Sequence, residues 1–164
     1  MQLIIGNKNY SSWSMRPWVM LRQAGIPFEE IMVRFDSFDA GSDFKNRLKG
    51  INPVGKVPVL VDDGFAVWDT LAIAEYAAER FPDRQLWPTD ARARARARSV
   101  CAEMHSGFGA LRSHFPMNIE ASRPPAAMPA SGPSQRDAPL AAAGLPGVAA
   151  GAAAGWACFI WVVW

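Results

Sequence analysis

The sequence predicts an α/β domain over residues 1–80, with the element order β-α-β-α-β-β-α, followed by a helical segment. Two observations carry this prediction. Short apolar runs bounded by turn residues alternate with segments whose apolar residues recur every three or four positions. Asp62-Asp63-Gly64 also places a tight turn between two of the runs. The 164 residues are 50% hydrophobic and 20% charged, as in ordinary globular proteins, and the net charge of +2 is too small to favour nucleic acid as a partner.

The first half of the domain contains two strands and two helices. Leu3–Ile5 is short, apolar and β-branched, which predicts a buried strand. A helix begins near Met15, and Pro17 is compatible with it only in the first turn. We expect a second strand over Phe28–Val33 and a short, weakly defined helix over Ser42–Leu48.

The second half is a β-hairpin followed by a helix. Val57–Val61 and Phe65–Trp68 are the two predicted strands. Asp69 and Thr70 then cap a helix, which closes the domain near residue 80. Its apolar stripe consists of Leu71, Ile73, Ala74, Ala77 and Ala78.

A linker is expected over residues 81–89, and a further helix from Asp90 to about Phe115. The run Ala91–Arg98 alternates Ala with Arg, and both residue types favour helix. A solvated face is the preferred interpretation of this run, and an anion-binding patch is the alternative. The apolar stripe of the helix, which we expect to be partly exposed, consists of Val100, Met104, Phe108 and Leu111.

The composition changes after Ala121. Residues 122–164 are rich in Ala, Pro and Gly and lack the periodic large side chains that offset the entropy of ordering a chain. We expect this tail not to be natively folded, or to be weakly helical from Val148. A membrane anchor over Leu140–Trp164, which carries no charge, is the alternative, although Pro146 interrupts it.

Three stretches carry candidate chemistry, and the first is Tyr10–Arg16. Its serines precede a helix, whose N-terminal N–H groups and dipole stabilise an anion. A serine hydroxyl in this place can donate a hydrogen bond to a thiolate. Helix capping alone is the simpler explanation.

The other two stretches suit a peptide-like ligand. If the Val57–Pro58 bond is cis, the backbone of Val57 faces outward and can pair with a peptide; a trans proline beginning an edge strand is the alternative. Asp69 offers an acceptor for an ammonium group, while Thr70 and the helix N–H groups can hold a carboxylate. The alternative for this pair is again a helix cap.

In this order and spacing, the three stretches resemble the cytosolic glutathione S-transferases of the serine type, meaning the zeta and theta classes and their bacterial relatives. The resemblance implies a thioredoxin-like N-terminal domain over residues 1–80. It also implies an incomplete all-helical C-terminal domain, of which residues 90–121 are a remnant. The chain is then truncated or frame-shifted after about residue 121. The implied activity is a transferase that binds glutathione as a thiolate and conjugates it to a small electrophile.

The resemblance assigns a role to each candidate residue. Ser11 is the catalytic hydroxyl that stabilises the thiolate, with its neighbours Ser12 and Ser14 not excluded. Lys56 lies near the glycine carboxylate, and Val57, preceding Pro58, pairs with the cysteinyl moiety. Asp69 and Thr70 stand where the family has Glu-Ser and hold the γ-glutamyl end, although Asp is one methylene shorter.

The remaining expectations follow from composition and from the resemblance. A thioredoxin or glutaredoxin would need a cysteine before the first helix, where this sequence has none. A glutathione-binding module or inactive fragment without turnover stays open, because the second domain is short. Cys101 and Cys158 fit neither a disulfide framework nor a metal site, which favours a reducing cytoplasm and no metal cofactor. We expect no nucleic-acid partner and no membrane association, and we regard the family's homodimer as doubtful here.

Overall fold

A computed structural model describes residues 1–120 and Ser122. The first seven helices and strands follow the predicted order β-α-β-α-β-β-α, and two further helices come after them. They are β1 (Gln2–Ile5), α1 (Ser12–Gln23), β2 (Glu29–Met32), α2 (Asp43–Leu48), β3 (Val59–Asp62), β4 (Phe65–Trp68), α3 (Thr70–Arg80), α4 (Ala91–Ser106) and α5 (Gly109–His114). A single 3₁₀ turn, Pro82–Arg84, lies between α3 and α4.

The four strands form one sheet of order β2-β1-β3-β4. β1 is parallel to β2 and antiparallel to β3, and β4 returns antiparallel to β3. Asp62 pairs with Phe65, so that Asp63 and Gly64 form the two-residue turn, both at positive φ. This is the thioredoxin-like arrangement that the resemblance implied.

Alternating side chains of β1 divide the core into two layers, as the two-residue period of a strand requires. Leu3 and Ile5 pack with residues of α1 and α3 on one face. Ile4 packs with Phe44 and Leu48 of α2 on the other. The sheet is therefore covered on both faces, and its loops are held from either side.

Most boundaries agree with the sequence predictions to within one residue, and two differ by more. β3 begins at Val59 rather than Val57, because Pro58 has no N–H with which to extend the ladder. α1 begins at Ser12 and contains Pro17 beyond its first turn, so the expectation for that proline was wrong. Proline removes the hydrogen bond that its N–H would have made to the carbonyl of Trp13 and crowds that carbonyl, yet the helix continues through it to Gln23.

The single helix expected from Asp90 to Phe115 is two helices. α4 ends at Ser106, Phe108 adopts a left-handed conformation with φ of 62°, and α5 then begins. The break turns the Phe108 ring into a cluster with Trp87, Cys101 and Met104. The break thus gives the last part of the apolar stripe a partner within the chain.

The stripe of α4 is buried, contrary to our expectation of partial exposure. Val100, Met104 and Phe108 are each at most 6% exposed, and only Leu111 is half-buried. The cluster that contains Met104 and Phe108 packs against Trp13 of α1 and against Leu71 and Ala78 of α3. Helices of the first domain therefore cover the stripe that we expected to be partly exposed.

The arginine run is mainly a solvated face, as preferred above. Arg92 and Arg96 are exposed. Arg94 donates hydrogen bonds to the carbonyls of Pro88 and Thr89, at 3.0 and 2.8 Å. Arg98 makes a two-pronged ion pair with Glu75 of α3, both N–O distances being 2.8 Å. Part of the run thus docks α4 on the linker and on α3.

The expectations for the tail, including its disorder and the membrane-anchor alternative, lie outside the described residues. Within residues 1–120 and Ser122, no helix is both long and apolar enough to cross a membrane.

Candidate functional site

Two cavities of about 410 and 430 Å³ share Trp13, Lys56 and Val57 on their walls. The first cavity is also lined by Asn52, Val54, Pro58, Trp68, Asp69, Thr70 and His105. The second is also lined by Tyr10, Ser11, Ser12, Phe35, Phe38, Phe44, Lys45 and Gly55. The fold thus brings the three candidate stretches together, and of their predicted site residues only Ser14 is on neither wall.

Ser11 stands at the N-cap position of α1 but does not cap the helix with its side chain. Its hydroxyl instead donates to Ser14 Oγ at 2.8 Å, and Ser14 Oγ also accepts the N–H of Gly6 at 3.1 Å. Both serines are buried. Capping therefore does not explain the Ser11 side chain, whose hydroxyl belongs to a buried chain of hydrogen bonds that reaches the cavity wall.

The Val57–Pro58 peptide bond is cis, which is the alternative that turns the Val57 backbone outward. Among residues 1–120 and Ser122, no hydrogen bond uses the N–H or the carbonyl of Val57. The preceding loop is fixed by Asn52, whose Nδ2 donates to the carbonyl of Lys56 at 2.7 Å. On the other side, Lys45 Nζ donates to the carbonyl of Gly55 at 2.7 Å. A backbone donor and acceptor are therefore held firmly, and free of partners, where the two cavities meet.

Asp69 and Thr70 begin α3 at the far wall of the first cavity. Asp69 Oδ1 accepts the N–H of Leu71 at 3.0 Å, so the capping role is real. Its second oxygen, Oδ2, lies 3.4 Å from Nε2 of His105. Thr70 is 2% exposed, and its Oγ1 has no hydrogen-bond partner among the described residues. A buried hydroxyl without a partner beside a helix N-terminus is suited to a bound anion.

Trp13 is the site residue that the sequence analysis missed most clearly. The guanidinium carbons of Arg16 and Arg112 lie 4.4 and 4.8 Å from its ring centroid, and His105 contacts it edge-on at 5.2 Å. Burial lowers the pKa of Arg16 to about 10, and the neighbouring charge of Arg112 acts in the same direction. The Arg16 contact is local, between residues three positions apart in α1, but those of His105 and Arg112 come from α4 and α5, so no local pattern signals them.

Lys45 and His105 were also missed, and only the fold brings them to the cavities. Lys45 lies in α2 and His105 near the end of α4. Within the described part of the chain, no group of three or more His, Cys, Asp or Glu side chains is placed to hold a metal ion.

Comparison with known proteins finds glutathione S-transferases that are similar to the first domain. The family model described as "Glutathione S-transferase, N-terminal domain" matches residues 10–80. A protein of Caenorhabditis elegans named "Probable maleylacetoacetate isomerase" is 38% identical over 103 residues, which cover 63% of this chain and 46% of that relative.

Two solved structures agree with this result. A glutathione transferase homologue from Burkholderia with bound glutathione has a TM-score of 0.56 at 29% identity, covering 67% of this chain and 56% of the other. The holo structure of a bacterial zeta-class maleyl pyruvate isomerase has a TM-score of 0.56 at 27% identity, covering 68% and 50%. The chain spans about half the length of the proteins it matches.

Proposed function

We propose, from the premise that this chain carries an N-terminal domain of the glutathione S-transferase family, that it binds glutathione as a thiolate and conjugates it to a small electrophile. The observation that carries the proposal is the backbone of Val57, which has no hydrogen-bond partner within residues 1–120 and Ser122 and lies where two cavities meet. Ser11 lines one of these cavities, and Asp69 and Thr70 line the other. A γ-glutamyl tripeptide has a charged end for each cavity and a thiol between them.

The γ-glutamyl end belongs in the first cavity. Its ammonium pairs with Asp69 Oδ2, the carboxylate oxygen that does not cap α3. Its carboxylate accepts hydrogen bonds from Thr70 Oγ1 and from the first N–H groups of the helix. Because a hydrogen bond to a charged group contributes about 1.5–3 kcal/mol, this end supplies much of the affinity.

The cysteinyl and glycine parts follow the loop before β3. The backbone of the cysteinyl residue pairs with the N–H and carbonyl of Val57, as an added strand would. The glycine carboxylate then enters the second cavity, whose wall carries the two cationic side chains Lys45 and Lys56. This orientation brings the sulfur to Ser11.

The chemistry requires only that the thiol be ionised and held in place. A free thiol has a pKa near 8.5, so lowering this pKa by about two units requires roughly 2.7 kcal/mol. A hydrogen bond from Ser11, together with the N-terminus of α1, supplies an interaction of that size. The thiolate then forms a bond to the electrophilic carbon, and a leaving group or a conjugated π bond accepts the displaced electron pair.

Location and assembly complete the proposal. The chain has only two cysteines, Cys101 and Cys158, and so no disulfide framework, which suits a reducing cytoplasm. Phe65 is exposed on β4, at the edge of the sheet, where a second subunit would cover it. Contrary to our expectation from the sequence, this exposed edge favours assembly, and we therefore propose a cytoplasmic homodimer; sedimentation of the purified full chain measures the assembly directly.

Calorimetry of the full chain tests the binding mode with two ligands, glutathione and an analogue that lacks the γ-glutamyl amine. Asp69→Asn removes the charge that the ammonium needs, so glutathione affinity is expected to fall about tenfold while the analogue is unaffected. Asp83→Asn, at an exposed aspartate outside both cavities, is the matched control and is expected to change neither affinity. Equal losses for both ligands in Asp69→Asn would make Asp69 a structural cap only.

A conjugation assay with a panel of small electrophiles distinguishes the enzyme from its alternative. Glutathione binding with an ordinary thiol pKa and no conjugation would make the chain a binding module without turnover. No binding of glutathione by the full chain would refute the proposed function altogether.

A further inference from the structure

We infer that Ser14 is a positioning residue: its hydroxyl, held by the Gly6 N–H, orients the Ser11 hydroxyl so that Ser11 donates its proton to the glutathione sulfur. This inference rests on the proposed function. It assigns to Ser14 a role different from that of Ser11, since one hydroxyl holds the other and only one contacts the ligand.

The geometry separates the two serines. Ser11 lines the second cavity, whereas Ser14 is 1% exposed and lines neither cavity, so Ser14 does not reach a bound sulfur itself. The two oxygens are 2.8 Å apart, a full hydrogen bond between buried hydroxyls. A serine at the start of a helix ordinarily accepts a backbone N–H two or three residues later. Ser11 makes no such bond, so Ser14 holds it away from its default conformation.

Gly6 provides the fixed end of this chain. Its N–H, directly after β1, donates to Ser14 Oγ at 3.1 Å. A Cβ at this glycine would lie 2.3 Å from the Phe35 ring, so the ring packs directly on the backbone here. The donor therefore lies between the end of β1 and the packed Phe35 ring.

The direction of the hydroxyl protons follows from counting donors. Each hydroxyl has one proton, and without ligand Ser11 gives its proton to Ser14. To donate to a thiolate, the Ser11 hydroxyl must break its hydrogen bond to Ser14 Oγ. Ser14 Oγ still accepts the N–H of Gly6, and the Ser14 hydroxyl proton then turns to Ser11 Oγ. Every donor is then used: the Gly6 N–H donates to Ser14, the Ser14 hydroxyl to Ser11, and the Ser11 hydroxyl to the sulfur. Only rotation about two C–O bonds is involved, and each bond in such a chain polarises the next.

Titration of the bound thiol by ultraviolet absorbance tests the inference on the full chain. Ser14→Ala frees Ser11 to cap the helix, and we expect the pKa of bound glutathione to rise by about 0.5–1 unit, which is a three- to tenfold loss of thiolate below that pKa. Affinity measured where the thiol is protonated should stay within about twofold, while kcat falls with the thiolate fraction. Ser14→Thr, which keeps the hydroxyl, should restore the wild-type titration. Ser99→Ala, at an exposed serine of α4, is the matched control and should change neither the titration nor kcat.

A second pair of variants isolates the coupling. Ser11→Ala should raise the pKa of the bound thiol by about one to two units, and adding Ser14→Ala to it should cause no further shift. An additive shift in the double variant, or a wild-type pKa in Ser14→Ala, would overturn the inference while leaving glutathione binding intact. If circular dichroism shows that Ser14→Ala does not fold, Ser14→Cys decides through the pH profile of kcat/KM, where an unshifted profile also overturns the inference. Failure of the wild-type chain to bind glutathione would instead overturn the proposed function, and this inference with it.

Discussion

Removing the buried hydroxyl of Thr70 is expected to stabilise the unliganded protein and to weaken glutathione binding. Thr70→Val keeps the shape of the side chain and replaces only the hydroxyl by a methyl group. In the unliganded chain Thr70 is 2% exposed, and its hydroxyl has no hydrogen-bond partner among the described residues. The substitution therefore removes a polar group that folding has stripped of water.

The magnitudes follow from what each state loses. A buried polar group without a partner costs about 1–3 kcal/mol, so Thr70→Val is expected to stabilise the unliganded protein by about 1 kcal/mol. In the complex the same hydroxyl donates to the γ-glutamyl carboxylate, a charged acceptor. Its loss is expected to weaken glutathione binding by about 1.5–3 kcal/mol, or roughly 10- to 150-fold.

Urea denaturation and calorimetry measure the two effects separately. The midpoint should rise in Thr70→Val without ligand, and the gain should disappear at glutathione concentrations that saturate the wild type, since bound ligand adds stability by mass action. Thr89→Val, at an exposed threonine in the linker, is the matched control and should show neither effect. A destabilised Thr70→Val variant that keeps the wild-type affinity would refute the reasoning, because the hydroxyl would then serve the fold rather than the ligand.

Two further predictions concern stability. Arg98→Ala removes the ion pair with Glu75. Because both side chains are partly exposed, we expect the free energy of unfolding, measured by urea denaturation, to fall by no more than about 1 kcal/mol. A loss above about 2 kcal/mol would show that docking of α4 depends on this pair. Glu30 accepts from Lys8, and this hydrogen bond is the main reason that the pKa of Glu30 is lowered in the folded chain. A lowered pKa gives stability that is present above the ordinary pKa of glutamate and is lost as the pH falls toward the lower folded-state value. Lys8→Met should therefore flatten the loss of stability on acidification below the ordinary pKa of glutamate, and an unchanged slope in denaturation midpoints would contradict this assignment.

Patterns local in sequence predicted most of the first domain. The strands around Leu60 and Phe65 were indicated by their β-branched and aromatic residues and the Asp-Gly turn, and α3 by its cap and stripe. The cis bond before Pro58 stood as one of two alternatives, because a single X–Pro pair carries no information about its own isomer. The prediction that Val57 lies at the ligand site came from the order of the three motifs and not from any one of them.

The features that escaped prediction depend on contacts between distant segments. The Trp13 ring contacts the Arg112 guanidinium of α5 and the His105 ring of α4, which only the fold brings to it. The break at Phe108 had a local signal, the glycines on either side of it, but the apolar stripe continued through it at helical spacing. Burying an aromatic ring against α1 and α3 outweighed the cost of a left-handed residue.

The backbone of Asp69 restricts which residues that position can accept. Its φ of 75° lies in a region that L-residues seldom adopt and that costs on the order of 1–3 kcal/mol. Glycine would relieve that cost but has no carboxylate, asparagine has no charge, and glutamate carries its charge one methylene further out. Selection for a stable chain and selection for ligand capture therefore favour different side chains here. Natural variants that lose the ligand should drift toward glycine at this position, so the residue found there reports which of the two pressures has acted.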